Sequence, residues 1–173
     1  MLENQIRAGA PSILPYANMI GGGNGGLTSQ GLITRAINGS HTFLPFVANG
    51  INWCPTQGQD VVSAHFTGCI MAYFVDNGVA KVAHISTGAD FGDCLPAWNN
   101  LKRNFTNVLE FRPSDYNMNV AHDRCYGLIT SNLGLYTITT QAPHVALAAG
   151  GHAQADQRVV RIEVANELNA RRP

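Results

Sequence analysis

Cys69 and His84 are the two side chains in the middle of this 173-residue chain with the chemistry of a covalent catalyst. A free thiol has a pKa of about 8.5 and is mostly protonated at neutral pH, whereas a thiolate beside an imidazolium is a strong nucleophile. A cysteine held next to a histidine therefore indicates nucleophilic attack on a carbonyl group. The question is whether the intervening sequence brings the two side chains together.

The segments that carry this pair are predicted to form a β-hairpin. Ile70–Val75 and Val79–Ile85 are rich in β-branched, aromatic and small apolar residues, and they flank Asn77-Gly78. Asn-Gly is the pair most typical of a two-residue hairpin turn. In the register that this turn dictates, Met71 lies opposite His84.

The same register places the pair on one face of the hairpin. Cys69 lies opposite Ser86, and because side chains alternate along a strand, Cys69, Met71, His84 and Ser86 point to the same side. Cys69 and His84 become diagonal neighbours with Cα atoms roughly 7–8 Å apart, a gap that an imidazole can bridge. A slip of one residue would turn His84 to the opposite face, so the prediction depends on the register.

The residues just before the cysteine are further candidates for the site. Gly68 leaves room for a substrate carbonyl to approach the backbone, and the Cys69 amide could donate a hydrogen bond to the developing oxyanion. His65 shares a strand face with Ser63, and either lines the site or serves the structure. We therefore take Thr67, Gly68 and His65 as the candidate substrate-binding residues.

The rest of the chain predicts an α+β fold, a mixed β-sandwich core with flanking helices. A glycine-rich N-terminal segment, residues 1–30, is predicted to be flexible, with a loop at Gly21–Gly26, and residues 31–173 form a single catalytic domain. Pro96 in a first turn predicts a helix from about Asp93 to Phe105, and a short C-terminal helix could form at Glu167–Arg172. The other predicted strands are Leu32–Ile37, which turns at Asn38-Gly39 into Thr42–Ala48, then Asp60–Phe66, Val108–Arg112, Cys125–Thr130, Leu135–Thr140 and Val159–Val164.

Composition narrows the functional classes. The chain has 11 basic and 11 acidic side chains and no net charge, which disfavours a nucleic-acid partner. No apolar run approaches the ~18 residues of a membrane span, and the N-terminus lacks the features of a conventional signal peptide. Because no conventional signal peptide is indicated, the four cysteines are expected to be reduced thiols rather than to form two disulfides.

A metal site is not indicated either. The four cysteines lack the CxxC spacing of zinc sites, and strand alternation would separate the neighbouring His122, Asp123 and Cys125. Cys54, Cys94 and Cys125 are predicted to be core thiols.

Around the pair, the sequence resembles the cysteine–histidine glutamine deamidases. This superfamily includes the catalytic domain of cytotoxic necrotizing factor toxins, the Burkholderia lethal factor and the chemotaxis receptor deamidases. Its motif reads roughly Leu-Ser-Gly-Cys, where this chain has Phe66-Thr67-Gly68-Cys69. Several members carry a threonine six positions before the cysteine, where this chain has Ser63 (69 − 6 = 63). The resemblance covers residues 60–86.

The resemblance implies a protein-glutamine deamidase, a hydrolase that converts a carboxamide to a carboxylate through a cysteine thioester. Cys69 would be the nucleophile, His84 the base and acid, and Ser63, or a nearby backbone carbonyl, the group that orients the imidazole. It implies no metal or organic cofactor, and a protein substrate with a reactive glutamine. It also implies a bacterial toxin or effector, delivered to a host cell by a specialised system without a signal peptide, or a resident of the bacterial cytoplasm.

Two other functions stay open. One is a different cysteine hydrolase, a peptidase or a transglutaminase, although in papain-like enzymes the cysteine usually starts a helix and Ile70–Val75 is predicted to be a strand. The other is a non-enzymatic binding domain in which Cys69 and His84 belong to the core, since free cysteine is among the most often buried residues.

Overall fold

The computed structural model describes residues 1–9, 13–14, 27–30, 41–88, 92–116, 123–141 and 157–168. Within these ranges, the chain forms two β-sheets, two α-helices and two short 3-10 segments. In chain order the elements are α1 (Leu2–Arg7), β1 (Ile13–Leu14), β2 (Leu27–Gln30), β3 (His41–Pro45), β4 (Ile51–Pro55), β5 (Asp60–Ala64), β6 (Ile70–Asp76), β7 (Val79–Ile85), α2 (Leu95–Leu101), a 3-10 turn (Lys102–Asn104), β8 (Thr106–Phe111), a second 3-10 turn (Pro113–Tyr116), β9 (Asp123–Ile129), β10 (Leu135–Gln141) and β11 (Gln157–Val164).

The strands form two mixed sheets that pack face to face. One sheet has the order β1-β11-β10-β9-β5-β3 and the other the order β2-β4-β7-β6-β8. All pairings are antiparallel except β3 with β5 and β2 with β4, which are parallel. The predicted class, α+β with a mixed β-sandwich core, is confirmed.

The main core lies between the sheets, and the helices cover their outer faces. Leu44, Val61 and Cys125 of the six-stranded sheet share one buried cluster with Met71 and Phe111 of the five-stranded sheet. Such burial of apolar side chains from both inner faces is the principal stabilising contribution in a sandwich.

Each outer face has its own helix. Trp98 of α2 packs with Phe74 and Ile85 on the five-stranded sheet. Leu2 and Ile6 of α1 pack in a cluster with residues of the six-stranded sheet. The predicted helix near Pro96 is confirmed, although it ends as a 3-10 turn and Phe105 is already extended.

The predicted β6–β7 hairpin is confirmed together with its register. Met71 pairs with His84, and Asp76 pairs with Val79 across the turn. Asn77 and Gly78 have φ angles of 49° and 78°. Positive φ at both positions is what a type I′ turn requires, and Asn-Gly is the pair that adopts it most readily.

Other strand predictions agree with the structure less completely. The predicted strand Thr42–Ala48 ends at Pro45, and it pairs with β5 in parallel. Its predicted hairpin partner Leu32–Ile37 and the turn Asn38-Gly39 lie outside the described residues, as does Gly21–Gly26. Of the predicted C-terminal helix Glu167–Arg172, only the first two residues are described, and Leu168 lies in a turn.

Five elements were not predicted. These are β4, the 3-10 turn Pro113–Tyr116, and the three elements α1, β1 and β2 of the N-terminal segment, residues 1–30. The last three do not stand apart from the domain: α1 contributes to its core, β1 pairs with β11, and β2 pairs with β4.

Candidate functional site

His84 lies in the middle of the five-stranded sheet and faces the inside of the sandwich. Met71 on β6 and Asn52 on β4 are its partners on the two neighbouring strands. Its side chain is completely buried. The Phe66 ring stacks on the imidazole with centroids 4.0 Å apart and an interplanar angle of 7°, and the Phe46 ring lies 5.0 Å away. Both aromatic contacts hold the ring plane of His84 in place.

Ser63 fixes the tautomer of this imidazole. The Ser63 hydroxyl donates to the backbone carbonyl of Leu44 at 2.5 Å, and its oxygen lies 2.8 Å from Nδ1 of His84. A hydroxyl has one hydrogen, and a carbonyl oxygen can only accept. Ser63 must therefore accept from an Nδ1–H of His84, which leaves the lone pair of the neutral ring on Nε2.

Ser63 reaches His84 from the opposite sheet. In the sequence, Ser63 was identified through the resemblance alone, within the predicted strand Asp60–Phe66. That strand, β5, belongs to the six-stranded sheet, so Ser63 reaches His84 across the interior of the sandwich rather than from a neighbouring strand.

Nε2 of His84 is buried and has no hydrogen-bond partner among the described residues, so it is not hydrogen-bonded to Cys69. Burial, together with the nearby His65, lowers the pKa of His84 to about 3. The imidazole is therefore neutral at pH 7, with a free lone pair that can accept a proton. This differs from the imidazolium that the sequence analysis placed beside a thiolate, because desolvation penalises the charged ring.

Cys69 lies one residue before β6 and is 5% exposed. It belongs to the inner cluster with Met71 and Phe66, the side of the sheet that His84 also faces, as the register predicted. Burial raises the pKa of the Cys69 thiol. The N–H of Thr87, the N–H of Cys69 itself and the charge of Arg112 act to lower that pKa.

The backbone next to Cys69 is accessible. Thr67 is exposed and Gly68 is half-buried. Gly68 has a φ of 156°, and a Cβ atom placed there would meet nothing within 4 Å. A substrate carbonyl therefore has room to approach at Gly68, the position where the sequence analysis expected it. The binding roles of Thr67 and Gly68 stay predictions.

His65 is held in the fold by a backbone bond. Its Nδ1 accepts from the N–H of Cys125 at 3.1 Å, which ties the residue to β9. Burial, and to a lesser degree the charge of Arg124, lowers the pKa of His65 to about 4. This bond gives His65 a structural function, and its contact with a substrate stays a prediction.

The other three cysteines have environments that suppress reactivity. All four cysteines are buried free thiols, so neither of the two possible disulfides forms. Burial raises the pKa of Cys54 and of Cys125 to about 12, and it also raises that of Cys94. Within the described part of the chain, no group of three or more His, Cys, Asp or Glu side chains could hold a metal ion.

Thr87, Asn52 and Arg112 are site residues that the sequence analysis missed. Thr87 could have been found, because the register of Met71 with His84, extended beyond the strand ends, places Thr87 opposite Gly68. Asn52 could not, because β4 itself was not predicted. Nothing in the local sequence indicates that the charge of Arg112 acts on Cys69.

Comparison with known proteins gives no further guide to the site. No model of a known protein family and no curated protein sequence matches the chain. Among the described helices, none is long and apolar enough to cross a membrane.

Proposed function

We propose that this protein is a protein-glutamine deamidase with Cys69 as nucleophile and His84 as general base and acid. The observation that carries the proposal is the chain of hydrogen bonds from Leu44 through Ser63 to His84. These bonds leave Nε2 of His84 unprotonated. Nε2 lies on the inner side of the five-stranded sheet, the side on which Cys69 also lies. A general base needs such an unprotonated nitrogen, and the bonds from Leu44 through Ser63 leave Nε2 available for that role.

The first half of the reaction forms a thioester. The Cys69 thiol gives its proton to Nε2 of His84 as the sulfur attacks the carboxamide carbon of the substrate glutamine. The negative charge that develops on the carboxamide oxygen accepts a hydrogen bond from the Cys69 N–H. The C–N bond then breaks, and His84 returns its proton to the nitrogen, which leaves as ammonia.

The second half hydrolyses the thioester. His84 takes a proton from a water molecule as the water oxygen attacks the thioester carbon. The C–S bond breaks, the sulfur recovers a proton from His84, and the glutamine side chain leaves as glutamate. Because the pKa of His84 is about 3, the ring is charged only transiently, while a negative charge develops beside it.

The proposed substrate is a glutamine of another protein, and no metal or organic cofactor takes part. Following the resemblance of residues 60–86, we place the protein among bacterial toxins or effectors that act inside a host cell after delivery by a specialised system. Action in the bacterial cytoplasm is the alternative location.

Peptide mass spectrometry of a host-cell lysate tests the proposal. The parent protein should convert a glutamine of one or a few lysate proteins to glutamate, and the Cys69→Ser variant should leave them unchanged. Cleaved peptides instead would indicate a peptidase, and amine-linked glutamines a transglutaminase. Either result would replace the deamidase assignment.

A binding domain without catalysis is the second candidate, and the burial of Cys69 favours it. A thiol that is 5% exposed with a raised pKa has the properties of a core cysteine. Alkylation separates the two functions: a nucleophile reacts with iodoacetamide in the folded protein, whereas a core thiol reacts only after unfolding.

A further inference from the structure

Thr87 contacts the backbone directly before the nucleophile. It lies just beyond the end of β7, the strand that carries His84. Its hydroxyl donates to the carbonyl oxygen of Gly68 at 2.8 Å. The base-bearing strand is thereby bonded to the peptide unit that joins Gly68 to Cys69.

That bond determines where the Cys69 N–H points. A trans peptide is planar, so its C=O and N–H point in opposite directions. With the Gly68 carbonyl held by Thr87, the N–H of the same peptide points away from that bond, and it acts to lower the pKa of the Cys69 thiol. An N–H that acts on the sulfur is also near the oxyanion that forms when sulfur attacks a carbonyl.

The peptide needs such a restraint because Gly68 does not supply one. With no side chain, glycine loses more conformational freedom on folding than any other residue, and a φ of 156° is one that other residues rarely adopt. Nothing lies within 4 Å of the position of a Cβ at Gly68, so no packing holds it from that direction.

We propose that Thr87 is a positioning residue, whose hydroxyl holds the Gly68–Cys69 peptide so that the Cys69 N–H serves as the oxyanion donor. The inference rests on the proposed function and adds a residue to its site. The Cys69 N–H that is held in this way and the N–H of Thr87 also help to keep the thiol pKa from rising further, which His84 cannot do while it is neutral. Thr87 therefore acts on the nucleophile twice, through the peptide and beside the sulfur.

The test compares Thr87→Val, which replaces the hydroxyl with a methyl group of similar size, with Thr87→Ser, which keeps the hydroxyl. For each, the rate of Cys69 alkylation by iodoacetamide is measured against pH, and kcat and KM are measured on the glutamine substrate found in the lysate. Loss of one oxyanion-directing contact should lower kcat of Thr87→Val by about 10- to 100-fold with KM unchanged. Its alkylation profile should move to higher pH, and Thr87→Ser should stay within about threefold of the parent in both measurements.

Two results would overturn the inference. One is a Thr87→Val protein with the parent's kcat and alkylation profile. The other is an equal loss of kcat in Thr87→Val and Thr87→Ser, which would mean that the shape of the Thr87 side chain matters and its hydroxyl does not. If Thr87→Val does not fold, Thr87→Ala gives the same comparison with a smaller side chain.

The alkylation profile separates this inference from the proposed function. It reports on the nucleophile without any substrate. A Thr87-dependent profile in a protein that converts no glutamine would support the role of Thr87 and reject the deamidase. If the protein is an active deamidase and Thr87→Val changes neither measurement, the proposed function is supported and the role of Thr87 is rejected.

Discussion

At the scale of single residues, the proposed site is organised around a histidine that is oriented but uncharged. His84 is placed between aromatic rings and hydrogen-bonded through Nδ1, and burial keeps its pKa far below 7. In the proposed reaction, proton transfer then accompanies the attack of sulfur rather than preceding it. A consequence is that no imidazole titration near pH 6 should limit the reaction.

Cys69 is the residue on which the proposed chemistry depends. Replacing it with serine should abolish glutamine conversion without unfolding the protein, because a hydroxyl is a far weaker nucleophile at neutral pH. In the folded parent, iodoacetamide should modify Cys69 faster than Cys94, and faster than Cys54 and Cys125, whose pKa values are about 12. Peptide mapping after alkylation gives the order, and full activity in Cys69→Ser would reject the mechanism.

Ser63 should contribute through orientation alone. Ser63→Ala removes the acceptor for the Nδ1–H of His84 and frees the ring to adopt the other tautomer. We expect turnover to fall about 10- to 100-fold, or ~1.4–2.7 kcal/mol, the size of one hydrogen bond to a group that becomes charged.

Ser63→Thr is the matched control, since it keeps the hydroxyl, and it should be nearly neutral. Steady-state kinetics on one substrate compares the three proteins. If Ser63→Ala behaves as the parent does, Ser63 is only a strand residue.

At the scale of elements, the β6–β7 hairpin was predictable because its turn and its register depend on residues that are close together in the sequence. Asn77 and Gly78 supply the turn, and alternation along two strands sets the register. The shared face of Cys69 and His84 follows from those few residues. The approach of Ser63 across the sandwich could not be predicted, because it depends on the pairing of β5 with β3 and β9, which are distant in sequence.

The unpredicted strand β4 shows a second limit of local reasoning. Ile51–Pro55 contains a fully buried asparagine and ends in a proline, and both residue types are depleted in strands. Asn52 is tolerated inside because its side-chain amide donates to the carbonyl of Pro45 at 2.9 Å. That partner is set by tertiary contacts, so the sequence pattern of β4 does not reveal a strand.

The turn itself can be tested apart from the site. Gly78 has a φ of 78° with open space around it, so a substitution costs backbone strain and nothing else. We expect Gly78→Val to lower the free energy of unfolding by roughly 1–2 kcal/mol, as expected for a β-branched residue forced into the left-handed region. Urea denaturation measures the loss.

Gly78→Asn is the control, because asparagine tolerates positive φ and should lose less stability. Alkylation of Cys69 should be unchanged in both variants, since the turn lies roughly 20 Å along the strand from the thiol. A larger loss in Gly78→Asn than in Gly78→Val would contradict the strain argument.

At the scale of the whole molecule, buried neutral histidines make the stability of the fold depend on pH. Burial lowers the pKa of His41, of His65 to about 4 and of His84 to about 3, from an ordinary value of 6.5. In the unfolded chain these imidazoles are solvated and titrate near 6.5. Unfolding below that pH therefore takes up protons that the folded state does not bind.

The sign of the effect follows from this uptake. Above about pH 6.5 the imidazoles are neutral in both states and add no pH dependence. As the pH falls from 6.5 toward 4, each of them lowers the free energy of unfolding by about 1.4 kcal/mol per pH unit at most. The protein should thus lose stability steeply in mild acid, and urea denaturation at a series of pH values between 4.5 and 7.5 would measure the slope.

His65→Asn removes one titrating group from this linkage and keeps the His84 side chain, although it also removes the part of the lowering of the His84 pKa that comes from His65. An asparagine oxygen can replace Nδ1 as the acceptor for the Cys125 N–H, but it does not titrate. The variant should unfold at pH 7 with a free energy near that of the parent and show a slope in acid that is smaller by about one proton. A parent protein whose stability is flat between pH 7 and 5 would mean that these histidines are not buried in the neutral form, and the assignment of His84 as an uncharged base would fail with it.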